Sequence, residues 1–172
     1  MMNSSKREKG WLNLVKHIHE LVKGKKVLFV CMGNELMGDD GVGVYIAKKL
    51  REKGLKDKVL NVGIYLENHL GKICMAKPDI VIFIDAIDAK RRPGDIILGR
   101  LPDIEKEITL ISTHGMPLSM ALKILYNTIG SIEAYIIGVQ IERARVGEKM
   151  SKNIMDAGNL VAEAIYRAMA SL

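Results

Sequence analysis

Three stretches carry residues whose types suit metal or carboxylate chemistry. The first is Gly33-Asn34-Glu35-Leu36-Met37-Gly38-Asp39-Asp40-Gly41, with two adjacent acids at the start of a helical pattern. One acid at a helix start serves as a cap or a partner for the helix dipole. Two adjacent acids cannot both fill that role equally well. The second is Asp85, placed directly after an apolar run, with Asp88 three residues on. A carboxylate at a strand end is costly to desolvate unless it is paired or metal-bound. Asp88 stands close to Lys90, Arg91 and Arg92 and reads as surface. The third is Ser112-Thr113-His114-Gly115-Met116-Pro117-Leu118, where an imidazole falls between a strand pattern and a helix pattern. Asp40, Asp85 and His114 together form a set suited to a divalent transition metal with open positions, nickel or zinc. The three lie far apart in sequence, so spacing alone does not establish the set.

The elements that must position them alternate. An amphipathic helix comes first, with Trp11, Leu14, Val15, Ile18, Leu21 and Val22 at helical spacing. Then come a strand over 27–31, the glycine-rich loop, and a helix over 41–50. A second strand over 59–66 and a short helix over 67–75 follow. The apolar strand 80–84 precedes the Pro93-Gly94 turn and a short strand beginning at 96–98. A further strand spans 107–112. A helix over 117–128 follows, Pro being tolerated in its first turn. The last strand spans 133–139, and a helix over 151–170 closes the chain. Such alternation predicts an α/β fold of three layers, a twisted, mostly parallel sheet between helices. Active sites in these sheets lie beyond the carboxyl ends of the strands, where the three stretches fall.

With 172 residues, 48% apolar and 27% charged, the chain suits one globular domain. We expect residues 1–25 to be a helical extension and 26–172 the domain. No apolar run reaches the ~20 residues of a membrane helix, and no signal peptide is evident, so a cytoplasmic protein is expected. The net charge of +6 is concentrated at the start: residues 1–26 carry seven basic and two acidic side chains. The remainder is nearly balanced, and two Phe and one Trp are few for a base-stacking surface. Nucleic acid and membrane are therefore not expected partners, and a monomer is expected. Cys31 and Cys74 form no C-x-x-C pair and read as buried, reduced thiols; most of the ten methionines read as core filler. Among the other histidines, His17 and His19 sit on the first helix, and His69 could line the active edge.

The motifs in this order resemble the nickel–iron hydrogenase maturation endopeptidases. The resemblance runs over roughly 27–139 and rests on Gly33-Asn34-x-Leu36-x-x-Asp39-Asp40-Gly41, Asp85 with Pro93-Gly94, Ser112-Thr113-His114 with Met116-Pro117-Leu118, and Gly138-Val139-Gln140. The Thr-His-x-Met-Pro-Leu stretch and Glu67-Asn68 are most similar to the hydrogenase 3 subgroup. The resemblance implies removal of a C-terminal extension from a hydrogenase large-subunit precursor after nickel insertion. It places the metal ligands at Asp40, Asp85 and His114, with nickel brought by the precursor; zinc or cadmium could occupy the same ligands. We expect Asp40 and Asp39 to be the catalytic residues, Asp39 orienting the ligands or serving as a base. The helix before Lys26 looks like an addition to the family pattern.

Two other classes share parts of this pattern. Phosphoacceptor signalling domains pair acids after the first strand with an Asp after the third, but need a lysine where Gly138-Val139-Gln140 stands. A nucleotide-binding module could use Glu67 as a ribose acid, yet the chain has no Gly-Lys-Ser/Thr loop, and Gly41-Val42-Gly43 lacks the third glycine. There is no H-E-x-x-H and no convincing Ser-His-Asp grouping either. A metal-binding module without catalysis is the remaining alternative.

Overall fold

The computed structural model describes residues 4–104, 106–111 and 115–171. Helix α1 (Ser4–Val22) leads into β1 (Val27–Met32), which enters α2 (Val42–Glu52) through a kinked turn over Glu35–Gly41. Next are β2 (Val59–Gly63), α3 (Leu70–Ala76), β3 (Ile80–Asp88), β4 (Ile96–Arg100) and α4 (Leu101–Ile104). The chain finishes with β5 (Thr109–Leu110), α5 (Leu118–Ile129), β6 (Glu133–Gln140) and α6 (Lys152–Ala170).

The sheet runs β2-β1-β3-β6-β4, with β5 attached to β3. Strands β2, β1, β3 and β6 are parallel; β4 runs antiparallel to β6, and β5 antiparallel to β3. The mostly parallel, three-layer expectation holds. Strand β3 separates the two cores by simple alternation. Ile80, Ile82, Ile84 and Ala86 face a layer made with α1, α2 and α6. Val81, Phe83 and Ile87 face a layer made with α3 and α5. A central parallel strand covered on both faces must be apolar throughout, which is why 80–84 contains no polar residue.

Boundaries differ from the sequence reading in three places. β2 stops at Gly63, where φ is 56° and Asn61 Oδ1 accepts the Gly63 amide at 3.1 Å. Residues Leu66–His69 then form a separate turn. β3 runs on to Asp88, because β6 pairs with it as far as Ile87 and β5 pairs with Ile87 and Asp88. Of the strand expected over 107–112, only Thr109–Leu110 is strand among the described residues, and Ser112 lies outside them.

Helix α1 packs on α6. Ile18 and Val22 are fully buried, His19 Nδ1 lies 3.2 Å from the Ala168 carbonyl, and Arg167 stacks on Trp11. Lys25 pairs with Glu133 at 2.5 Å, at the edge where β6 begins. Both sets of contacts lie at the end of the molecule away from the strand carboxyl ends. Among the described residues no helix is long and apolar enough to cross a membrane.

Two packing expectations are corrected. Cys31 is fully buried, but Cys74 is only partly covered on short α3. Of the described methionines only Met32 is fully buried; Met116, Met150 and Met169 pack at core margins, and Met75, Met120 and Met155 are exposed. Leu, Ile and Val already fill both layers, so the methionines fall on their rims.

Candidate active site

The loop after β1 is shaped by main-chain contacts. Gly33 N donates to Gly63 O at 3.0 Å, and Asn34 N donates to Asp40 O at 3.2 Å, closing the loop on itself. A Cβ on Gly33 would overlap the Asp40 carbonyl oxygen, and φ at Gly33 is 151°. Asn34 Oδ1 accepts the Leu36 amide at 3.0 Å and starts the turn. The turn kinks at Gly38, where φ is 60°. Asp39 and Asp40 emerge from this kink 1% and 0% exposed.

Asp39 faces the start of the last helix. Its Oδ1 accepts the Ser151 amide at 2.7 Å, while Oδ2 is buried with no hydrogen-bond partner. Ser151 is the N-cap of α6, and its own side chain makes no capping bond. A carboxylate there also favours the positive end of the helix dipole.

Asp85 lies within β3, paired with Gly138 of β6 on one side. On the other side β1 ends its pairing at Cys31 with Ile84. Asp85 is therefore the first residue of β3 to pass beyond β1, in the crevice where chain direction around the sheet switches. It is fully buried, and its Oδ1 accepts the Ala86 amide at 2.8 Å. The turn over Glu35–Gly41 contacts β3 directly. Close approach is secured at Gly43: a Cβ there would overlap the Met32 carbonyl oxygen and stand 2.7 Å from that of Ile84. The loop of Asp40 and the strand of Asp85 thus meet at one edge, as the sequence reading expects.

His114 lies outside the described residues, as do Ser112 and Thr113. Among the described residues no three of His, Cys, Asp and Glu gather as a metal site. His69 is engaged locally, with Nδ1 2.9 Å from the Tyr65 carbonyl.

One residue gains a role that the sequence reading did not give it. Gln140, 4% exposed, accepts the Ala89 and Arg91 amides at 2.8 and 3.2 Å and donates to Ile141 O at 2.9 Å. It anchors the turn after β3, and Gly94 N donates to its carbonyl at 2.8 Å. Its neighbour Gly138 leaves space for Ile87, whose Cδ1 would be 2.6 Å from a Cβ. Those contacts account for Gly138-Val139-Gln140 as a structural support beneath Asp85. Asp88 is half-exposed and bonded to Lys90 at 2.6 Å, which with the Lys90 amide holds its carboxyl below the usual range.

A kinked glycine loop carrying buried acids is thus set against a buried strand aspartate at the switch of an α/β/α sheet. The family profile for hydrogenase maturation protease matches residues 44–168, and the chain belongs to that family. It is 30% identical to the hydrogenase 3 maturation protease of Escherichia coli K12 over 143 residues, covering 83% of this chain and 87% of that one. It is 35% identical over 124 residues to a putative hydrogenase maturation protease of Methanocaldococcus jannaschii, covering 69% and 78%. The crystal structure of the NiFe hydrogenase maturation protease HycI from Thermococcus kodakarensis KOD1 superposes with a TM-score of 0.77 at 30% identity, covering 90% of this chain and 99% of that one.

Proposed function

We propose that this endopeptidase removes the C-terminal extension of a nickel-loaded hydrogenase large-subunit precursor, reading the substrate's nickel through Asp40, Asp85 and His114. The observation that carries the reading is the convergence of Asp40 and Asp85, both fully buried, on one sheet edge from separate elements. Carboxylate oxygens with an imidazole form a borderline donor set, suited to nickel and also to zinc or cadmium. The nickel arrives as part of the substrate, and the site completes its coordination. Capture of that nickel holds the adjoining chain at the edge, and a bound divalent ion polarises a carbonyl or activates water. Asp40 supplies the ligand nearest the loop, and Asp39 keeps the loop in place through Ser151. The two free thiols fit a reducing compartment, and we assign the activity to the cytoplasm.

The deciding test is the intact mass of a nickel-loaded precursor from the same source, before and after incubation, beside a nickel-free precursor. Loss of a C-terminal peptide from the nickel-loaded form alone is the expected result. Equal cleavage of both forms would overturn the metal reading. No cleavage of either would overturn the substrate assignment.

A further inference from the structure

The turn Glu35–Gly41 and the connection that follows β6 close together over the strand carboxyl ends. Gly147 N donates to Leu36 O at 2.8 Å, and Ser151 N donates to Asp39 Oδ1 at 2.7 Å. The segments also touch at Gly38, where a Cβ would stand 3.4 Å from Glu148 Cβ and from the Lys149 carbonyl oxygen. They form one packed unit, which carries both acids of the first loop.

Two large apolar side chains stand out from that unit. Leu36 is 73% exposed, and Val146 is 79% exposed. They are neighbours, because the bond between the segments joins the Leu36 carbonyl to the amide directly after Val146. Burial gives no account of either. Within the motif, Gly33 permits the close approach to Asp40, Asn34 starts the turn, Gly38 kinks it and Asp39 ties it to α6. Leu36 contributes its amide and carbonyl, which any residue but proline supplies. The charges beside Val146 are matched among themselves, since Glu148 pairs with Arg143 at 2.9 Å and with Arg145 at 3.8 Å. What the unit holds out to solvent in fixed positions is therefore apolar surface, which gains by being covered. The family consists of proteases, and a protease must hold a polypeptide over the edge that bears its acids. The cover available here is the substrate chain. Side chains already fixed by main-chain bonds lose little freedom on meeting it.

We propose that Leu36 and Val146 form an apolar ledge that receives an apolar side chain of the precursor segment lying along this edge. The identity of the precursor rests on the function proposed above.

Two measurements with the nickel-loaded precursor test it. The first is cleavage kinetics. Leu36→Ser and Val146→Ser should each raise KM about 5-fold or more, as for loss of a covered apolar side chain, with kcat within about 2-fold. Leu36→Met keeps the apolar contact and should stay within about 2-fold of the parent. Met75→Ser is the control: Met75 is more exposed than either, but lies on α3 near the strand amino ends, and its loss should leave KM unchanged. Unchanged KM in both serine variants overturns the proposal. A fall in kcat at unchanged KM overturns it in favour of a part in shaping the loop. The second is a methyl NMR titration of the protein with the precursor. Saturable shifts of the Leu36 and Val146 methyls, with Met75 unmoved, are expected. A precursor that shifts these methyls and is not cut upholds the ledge while the proposed cleavage fails. A precursor that is cut without shifting them does the reverse. One that does neither overturns both.

Discussion

Asp39 and Ser151 stand 112 residues apart in the chain and are joined by a 2.7 Å hydrogen bond from the Ser151 amide to the carboxylate of Asp39, a residue 1% exposed. One contact thereby ties the first loop, which carries Asp40, to the start of the last helix. Asp39 caps a helix to which it does not belong. Its neighbour Asp40 is wholly buried in the loop so fixed.

Replacement of Asp39 by Ala removes the cap and the favourable dipole contact, and should lower the unfolding free energy by about 1–2 kcal/mol. Asn retains an acceptor for the Ser151 amide and should cost less. Urea unfolding of both variants checks this. An Ala variant as stable as the parent would show that the tie contributes nothing.

Asp40→Asn and Asp85→Asn should each abolish processing while leaving the fold intact. The amide keeps the volume of the buried side chain and removes the negative charge that the proposed metal reading requires. Circular dichroism with the intact-mass assay separates the two effects. Full processing by a well-folded Asp40→Asn protein would falsify its assignment as a ligand.

Glu163 accepts hydrogen bonds from Lys53 at 2.7 Å and Arg167 at 2.9 Å, and these hold its carboxyl below the ordinary value. A carboxylate depressed in the folded state contributes stability that is complete at neutral pH. That contribution is lost as pH falls through the folded-state value. The stability difference between the parent and Glu163→Gln should therefore be largest near pH 7. It should shrink as the solution is acidified below the ordinary glutamate range of about 4.3. Thermal midpoints measured across pH read this directly. A difference independent of pH would mean that the pairs with Lys53 and Arg167 do not persist in solution.

The thiols should separate by rate. Burial pushes the Cys31 thiol far above its ordinary value, and the side chain is wholly enclosed. Cys74 is partly open on α3. A thiol reagent on the native protein should label one cysteine quickly and the second only on unfolding. Rapid labelling of both would show that the β1 region opens readily.

Much of this arrangement is readable in the chain because it depends on local pattern. The run 80–84 is apolar because both sheet faces are covered, so the carboxylate that ends the run stands out. The acids after Gly38 stand out for a similar reason, being adjacent at a helix start. What escapes is set by partners distant in sequence. Nothing near Asp85 announces that β6 and the two residues of β5 carry the strand on to Asp88. Gln140 looks like an ordinary strand end until the turn 88–92 folds onto it. Glu67 stands beside Asn68 in the chain, and only the folded structure sets its carboxylate against the main chain at Gly115. Solvent exposure of the methionines is likewise decided by which apolar residues fill the layers first.

Gly43 has a consequence for how the site tolerates change. The main chain of α2 rests there on the carbonyls of Met32 and Ile84, with no side chain between them. Asp40 is three residues before this contact and Asp85 one residue after Ile84, so the span between the acids is gauged by backbone thickness. Side-chain substitutions deeper in either layer can drain stability long before they alter that gauge. Heat resistance and the spacing of the two acids should then be able to drift apart, since they answer to different parts of the chain.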